Sequence, residues 1–346
     1  MTSDEQQAAL EHVGKAWDWF SGMVGISATN LGIELGLFDY LQEHAPITPR
    51  DLASRLSLQE RPVETWAKTL VHYGLLIVED NDRISMAPGV ELMVCEPKTL
   101  LNLAPSFAYH ARFLARDFLD LDKFFKDGRA VSPSRHGPAL TRNVADQTAA
   151  MHEIFVAGIL PDLPEIDVLL VEGAEVLDAG CGTGHLGLLL CENYPAVRYT
   201  GVDLDEAAIV DGRRDAVAAG LQERVSLLAQ PVTASTGASF DVALLFLSLH
   251  EIAMEERVTA LSAVRESLKP GGWLLVFDET YPETLSEAAN RQARMGLHFE
   301  YTEMLWGSRV PTRRELATLL TDAGFAHVER RSVLEGSFDV VLARVE

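Results

Sequence analysis

The sequence predicts an α/β fold, with a mostly parallel sheet in the C-terminal half and a mostly helical region before it. Three observations carry this. From Glu175 onward, short apolar runs of strand length alternate with longer amphipathic segments, the pattern of strands joined by crossover helices. The run Glu175-Val-Leu-Asp-Ala-Gly-Cys-Gly-Thr-Gly184 reads as a buried strand, a tight turn and the start of a helix. Before residue 100 the apolar spacing is helical, interrupted by one short hairpin.

In chain order, residues 10–40 read as helical, with apolar and aromatic side chains that include Trp17, Trp19, Phe20, Met23, Leu31 and Phe38. Thr48 suits an N-cap, and Pro49 suits the first helical position after it. Pro62 to Tyr73 forms a second helix. Gly74-Leu-Leu-Ile-Val78, the polar turn Glu79-Asp-Asn-Asp82 and Arg83-Ile-Ser-Met86 then make a two-stranded hairpin. Helix, turn, helix and hairpin in this order form the winged-helix pattern. Residues 101–170 are mostly helical around a polar break at 126–138, and Pro161 and Pro164 mark a linker. Strands are expected at 175–178, 198–203, 224–229, 240–247, 273–278, 325–332 and 338–344. Helices are expected at 184–193, 205–219, 254–268, 286–297 and 312–323. The last two strands lie close enough in sequence to pair as an antiparallel hairpin.

Of the 346 residues, 47% are apolar, enough for substantial cores. No apolar run reaches the roughly eighteen residues that span a bilayer, and the first residues lack the basic and apolar regions of a signal peptide. Cys95, Cys181 and Cys191 are too few and too scattered for a disulfide framework or a zinc site, so a reduced, cytoplasmic protein is expected. The net charge of −22 opposes binding to nucleic acid or anionic membranes. The second helix of the winged helix carries only Lys68, with Arg61 before it, which suits dimerisation better than DNA reading.

The glycine-rich turn is where a ligand is expected. Gly180, Gly182 and Gly184 let the backbone approach a ligand at the carboxyl edge of the sheet, where α/β folds bind nucleotides. The turn alone fits a dinucleotide, or no ligand, equally well. Its acids discriminate. Asp178 ends the first strand, where it repels a pyrophosphate and suits an ammonium group. Asp203 ends the next apolar segment, where an acid takes both hydroxyls of a ribose. S-adenosylmethionine has a ribose and a positive group and lacks a phosphate. Cys181 in the turn, Leu204 after Asp203, Gln230 after the following strand and Leu247 are the other expected cofactor-binding residues, with Gln230 toward the adenine amine.

With the later Leu268-Lys-Pro-Gly-Gly272 turn, this ensemble resembles the class I S-adenosylmethionine-dependent methyltransferases, which implies a Rossmann-like, seven-stranded methyltransferase sheet. Nearly the whole chain resembles the small-molecule O-methyltransferases of plant phenylpropanoid and bacterial polyketide pathways. The match lies in Leu247-Ser-Leu-His-Glu-Ile252, where that family carries a Leu-His-Asp-Trp segment. The resemblance implies His250 as general base, with Asp278 at the place of a catalytic glutamate that orients it. A second family glutamate falls near Val310, and Glu279 is the expected substitute. The implied organisation is a winged-helix dimerisation domain over 1–100, a helical linker and substrate lid over 101–170, and a cofactor-binding catalytic domain over 171–346. The implied reaction is methyl transfer to a hydroxyl of a small aromatic or polyketide-like acceptor by a homodimer. The chemistry is consistent with this, because a phenol is a poor nucleophile until a base such as histidine takes its proton. Met151, Phe155, His298, Met304 and Trp306 are expected to line the acceptor pocket, although an apolar stripe also fits plain core.

Two other readings share these residues. The chain also resembles bacterial C-methyltransferases of 2-oxo acids, some of which bind a metal through a His–acid pair. The pair here is His250 and Glu251, with Glu303 or His298 as the third ligand. A non-methylating, cyclase-like member of the same fold keeps the same cofactor site. Metal-free O-methylation is the expectation.

Overall fold

Thr2 caps the first helix. Its hydroxyl accepts from the Glu5 N–H while the Glu5 carboxylate accepts from the Thr2 N–H, and helix α1 then runs over Ser3–Glu34. Gly36, in the left-handed region, separates it from α2 (Leu37–His44), so the helical stretch expected over 10–40 is two helices. In this computed structural model, which describes residues 2–97, 99–234 and 239–346, the chain divides into two units, Met1–Ala115 and Arg116–Glu346. The boundary falls inside the stretch 101–170 that the sequence assigns to one linker.

In the first unit, Thr48 caps α3 (Pro49–Arg55) by accepting from the Asp51 N–H, and α4 (Glu60–His72) follows. Strands β1 (Leu76–Glu79) and β2 (Arg83–Met86) pair antiparallel, which fits a winged helix. Leu37, Phe38, Leu41, Leu52, Trp66, Leu70 and Ile84 form its core. Both cations of α4, Arg61 and Lys68, bind Glu64, so the helix offers no free positive face. α1 carries Trp17, Trp19, Phe20 and Met23 at 60–73% exposure, far more apolar surface than one helix normally shows to water.

The second unit opens with helices, chief among them α5 (Pro138–Ile154) and α6 (Pro164–Glu172). The sheet then follows: β3 (Glu175–Ala179), α7 (His185–Asn193), β4 (Arg198–Asp203), α8 (Glu206–Ala218), β5 (Val225–Ala229), β6 (Phe240–Phe246), α9 (Arg257–Ser267), β7 (Leu268–Asp278), α10 (Arg294–Trp306), α11 (Arg313–Asp322), β8 (Ala326–Val333) and β9 (Phe338–Arg344). The seven strands lie in the order β5-β4-β3-β6-β7-β9-β8. The first five are parallel, and β9 pairs antiparallel with both β7 and β8. Chain direction across the sheet reverses between β3 and β6, which are neighbours. The carboxyl ends of these two strands flank the crevice where such folds bind ligands. Alternate residues of each strand enter opposite cores. Val176, Leu244, Phe246, Leu275 and Phe277 face one, and Leu177, Ala179, Leu245, Leu274 and Val276 face the other.

Two elements differ from expectation. β7 starts at Leu268 rather than 273, because residues 268–272 form an irregularity in the pairing with β6 instead of a free turn. The helix expected at 286–297 is a four-residue helix, Leu285–Ala288, followed by α10, which runs on to Trp306 and ends at Gly307 in the left-handed region.

Candidate active site

Asp178 and Ala179 end β3 in the centre of the sheet, and Gly180–Gly184 turns the chain into α7. Gly180 and Gly182 have positive φ, which favours glycine. A Cβ on Gly180 would lie 2.6 Å from the Ser248 Cβ, whereas one on Gly182 would meet nothing within 4 Å and would project into open space. The turn is pinned by the Gly180 and Cys181 N–H groups, which both donate to the Val202 carbonyl, at 2.9 and 3.1 Å. Asp203 holds it from the side. One carboxylate oxygen accepts from the Gly182 N–H at 2.7 Å and the other from the Asp205 N–H at 2.8 Å. Each of those oxygens keeps a lone pair for a ligand hydroxyl.

Asp178 is buried. The Tyr199 hydroxyl donates to its Oδ2 at 2.5 Å, while Oδ1 has no hydrogen-bond partner among the described residues. Burial pushes its carboxyl up to about 7, against the pull of Tyr199 and with a further push from Asp203. An orphaned, buried acceptor beside an open glycine turn fits a cationic ligand group. Cys181 is buried in the same turn, and burial with the two nearby aspartates pushes its thiol far up, so it is inert. Leu204 is 77% exposed next to Asp203. The Gln230 N–H donates to the Asp203 carbonyl at 2.9 Å, and its side chain donates to Ala234 O at 3.3 Å.

His250 sits on a short 3-10 turn after β6. Leu247 reaches this turn through a left-handed φ, its N–H bound to Phe277 O at 2.8 Å, and the Ser248 hydroxyl donates to Ala179 O at 2.8 Å. The base loop is thereby tied to β7 and to the glycine turn. Asp278 ends β7, and its Oδ1 lies 2.6 Å from His250 Nδ1 and accepts from the Glu279 N–H at 3.0 Å. Glu279 Oε2 is 3.7 Å from the same imidazole nitrogen. Burial alone would pull His250 down, but the charge and hydrogen bond of Asp278, with Glu303 and Glu279, hold it well above its ordinary value. Burial pushes Asp278 up, and His250 more than offsets this, leaving it below the usual carboxylate range. Glu279 is driven well up by burial and by Asp278. With Asp278 on Nδ1, Nε2 is the nitrogen left to take a proton.

Sequence reading missed the group that fixes this loop. Arg257, wholly buried at the start of α9, donates to Ile252 O at 2.9 Å, to His250 O at 2.9 Å and to Arg309 O at 2.5 Å. Its Nη2 also reaches the Ser308 hydroxyl at 3.2 Å, and that hydroxyl in turn donates to His250 O. Nothing in a helical arginine's sequence context signals such a role. Glu251 keeps accessible surface although protein surrounds its carboxyl group, which burial pushes up with help from Asp203 and Asp278 and against the pull of His250.

The expected acceptor lining fares unevenly. Phe155 has no accessible surface. It packs in an aromatic stack with Phe246 and Phe277, so it is core rather than lining. Trp306 is half-buried, but its indole N–H is committed to the buried Asp117 carboxylate at 2.8 Å, which makes it a structural strut. Met151 and Met304 are half-buried, and His298 is exposed with its ring edge-on to Phe299. His152, half-buried at the end of α5, lies over Phe246 with Nδ1 buried and unpartnered among the described residues, and burial pulls it down to about 3. The His250–Glu251 metal pair is replaced geometrically by another grouping: His250, Asp278 and Glu279 place ligand atoms within 4.8 Å of one another. Its shortest link is the bond from the imidazole to its orienting carboxylate.

Known proteins resemble this chain in sequence and in fold. Residues 177–274 match the family model described as a methyltransferase domain. Over those residues the chain carries a methyltransferase domain. It is 30% identical over 182 residues, half of its length, to an S-adenosyl-L-methionine-dependent Diels-Alderase of Talaromyces variabilis, and the match spans 60% of that relative. It is 26% identical over 315 residues to cephaeline 6'-O-methyltransferase of Carapichea ipecacuanha, covering 85% of each chain. The crystal structure of human N-acetylserotonin methyltransferase in complex with S-adenosylmethionine superposes with a TM-score of 0.78 at 20% identity, over all of this chain and 99% of that one. S-adenosylmethionine is therefore the cofactor of this methyltransferase, and Asp178, the glycine turn and Asp203 are the residues that fit it. Among the described residues, no helix is long and apolar enough to cross a membrane.

Proposed function

We propose that this methyltransferase methylates a hydroxyl group of a small-molecule acceptor, with His250 as general base. The observation that carries the reading is the buried His250 Nδ1–Asp278 Oδ1 pair, at 2.6 Å, on the loop that Ser248 ties to the cofactor turn. When bound, S-adenosylmethionine supplies an electrophilic methyl group on a sulfonium. The residues of the chain do the rest. Asp178 and the Gly180–Gly184 turn hold the amino-acid end, and Asp203 takes the ribose hydroxyls. Asp278 fixes the His250 tautomer, so Nε2 accepts the acceptor's hydroxyl proton and the imidazolium that forms stays paired. Glu279 stands beside the same nitrogen, its Oε2 3.7 Å away. Burial of the dyad keeps water from competing for the base.

The relatives' names agree at the level of small-molecule chemistry, and the cephaeline 6'-O-methyltransferase matches over most of both chains. A Diels-Alderase among the relatives makes cyclisation the competing use of the fold, but a carboxylate-oriented histidine is a proton-abstracting device and favours transfer to oxygen. The test is incubation with a methyl-labelled cofactor and a panel of phenols, with and without a chelator. Label on oxygen that survives chelation supports the reading, and label on the carbon of a 2-oxo acid that chelation abolishes refutes it. We further infer a homodimer through the exposed Trp17, Trp19, Phe20 and Met23 face of α1, because that much apolar surface needs a partner. Light scattering showing a dimer that Trp19→Glu converts to a monomer is the expected result.

A further inference from the structure

Among the described residues, no hydrogen bond reaches either ring nitrogen of His152, and its Nδ1 is fully enclosed. Other histidines of the chain are committed. His44 and His110 place Nδ1 on the carbonyl four residues back, at 3.2 and 2.6 Å. His136 and His250 meet Asp117 and Asp278, at 2.7 and 2.6 Å. A buried nitrogen without a partner costs stability, so this one asks for an explanation. The side chain is only half-buried, and with Nδ1 enclosed it is Nε2 that keeps accessible surface.

The ring stands at the glycine turn. Its centroid lies 4.8 Å from that of Phe246, the last residue of β6, and 5.5 Å from that of His185, the first residue of α7. Asp178 on β3 is opposite Leu244 on β6, so Gly180 and Phe246, each two residues further on, reach the sheet edge at the same level. His185 directly follows Gly184. His152 is therefore bracketed by the start and the end of the turn that fits the cofactor's amino-acid end. The turn itself has few donors for the carboxylate of that end. The Gly180 and Cys181 N–H groups go to Val202 O, that of Gly182 to Asp203 and that of Gly184 to Cys181 O. Asp178 and Asp203 bring carboxyl groups, which accept rather than donate.

We propose that His152 donates a hydrogen bond from Nε2 to the carboxylate of the cofactor's amino-acid end, beside the ammonium that Asp178 takes. This rests on the reading of the turn as the S-adenosylmethionine site and adds a residue to it. Burial, helped by His185, pulls His152 down to about 3, so near neutrality the imidazole is uncharged and carries one proton. On Nε2 that proton faces the ligand, where a charged acceptor makes the stronger kind of hydrogen bond. The enclosed, bare Nδ1 is the cost of presenting Nε2 there. A histidine that served packing alone would gain nothing from that cost.

The test is calorimetry on the full chain with two ligands, S-adenosylhomocysteine and its decarboxylated analogue, which keeps the amine. The wild type is expected to bind S-adenosylhomocysteine tighter than the analogue by about fivefold or more. His152→Leu, which has a similar volume and no nitrogen, is expected to lower that ratio by about fivefold or more, the loss of one hydrogen bond to a charged group. Without ligand, the same variant is expected to unfold at a urea concentration no lower than the wild type, because the orphaned nitrogen is gone. If His152→Leu does not fold, His152→Phe, which keeps a ring against Phe246, carries both comparisons. A smaller wild-type preference or a smaller fall in the ratio overturns the proposal. So does a folded variant with a lowered urea midpoint, which marks His152 as a packing residue. Failure of the wild type to bind S-adenosylhomocysteine overturns instead the reading on which the proposal rests.

Discussion

Replacing Asp278 by asparagine removes one charge from the dyad and keeps its shape. Asp278 Oδ1 accepts from His250 Nδ1 at 2.6 Å and from the Glu279 N–H at 3.0 Å, and an asparagine carbonyl can accept both. What disappears is the charge that stabilises the imidazolium. A hydrogen bond to a charged group contributes about 1.5–3 kcal/mol. That support is lost as the acceptor proton reaches Nε2, so kcat/KM should fall by about 10- to 150-fold. The pH dependence has a definite sign. Asp278 holds His250 well above its ordinary value, so in the wild type the base form grows in only as pH rises through that raised value. In Asp278→Asn the effect of burial prevails, and the acid limb of kcat/KM should move to lower pH. Stability follows the same linkage. The Asp278 share is lost as pH falls through its depressed value, and the His250 share is lost as pH rises through its raised one. The variant's deficit in urea should therefore be largest between those limits. The assay is kcat/KM against pH with a methyl-labelled cofactor. An acid limb that stays in place would refute the claim that Asp278 tunes the base.

Three further outcomes follow from the geometry. Asp203→Ala should weaken cofactor binding by about 10- to 150-fold from the ribose contacts, and by more than that because the Gly182 N–H anchor goes with it; calorimetry showing less than a threefold change would remove Asp203 from the site. Asp178, held at about 7 when folded against an ordinary carboxylate value, takes up protons on folding, so the free protein should lose stability as pH rises through that window. The cofactor's ammonium should reverse this, releasing a proton on binding below pH 7, which titrations in two buffers of different ionisation enthalpy would detect. Arg257→Met leaves the carbonyls of His250, Ile252 and Arg309 short of a donor and should cost about 2–5 kcal/mol in urea unfolding, with kcat falling more than cofactor affinity.

What the sequence made legible was local. Most strands of the sheet announced themselves as short apolar runs between turn signals, whereas β8 (Ala326–Val333) is largely polar and exposed. The glycine turn, Asp178 and Asp203 are read from three successive elements whose order the fold fixes. Asp278 could be placed because the family resemblance puts a catalytic glutamate at that position. Groups joined only through space were not legible. Trp306 looked like pocket lining because its partner, Asp117, lies 189 residues away. Arg257 carries no sequence mark of its role, and it is wholly buried under carbonyls from two loops. α10 was placed too early because Thr284 caps a separate four-residue helix, Leu285–Ala288, ahead of it.

The most direct test of the account is a single-turnover comparison of wild type and His250→Ala with a methyl-labelled cofactor and an acceptor found in the phenol panel, alongside cofactor affinity. The account predicts label on the acceptor oxygen, a rate constant reduced by about 10²–10⁴-fold in the variant, and cofactor affinity within about threefold of wild type. A variant that transfers the methyl group as fast as the wild type would contradict it.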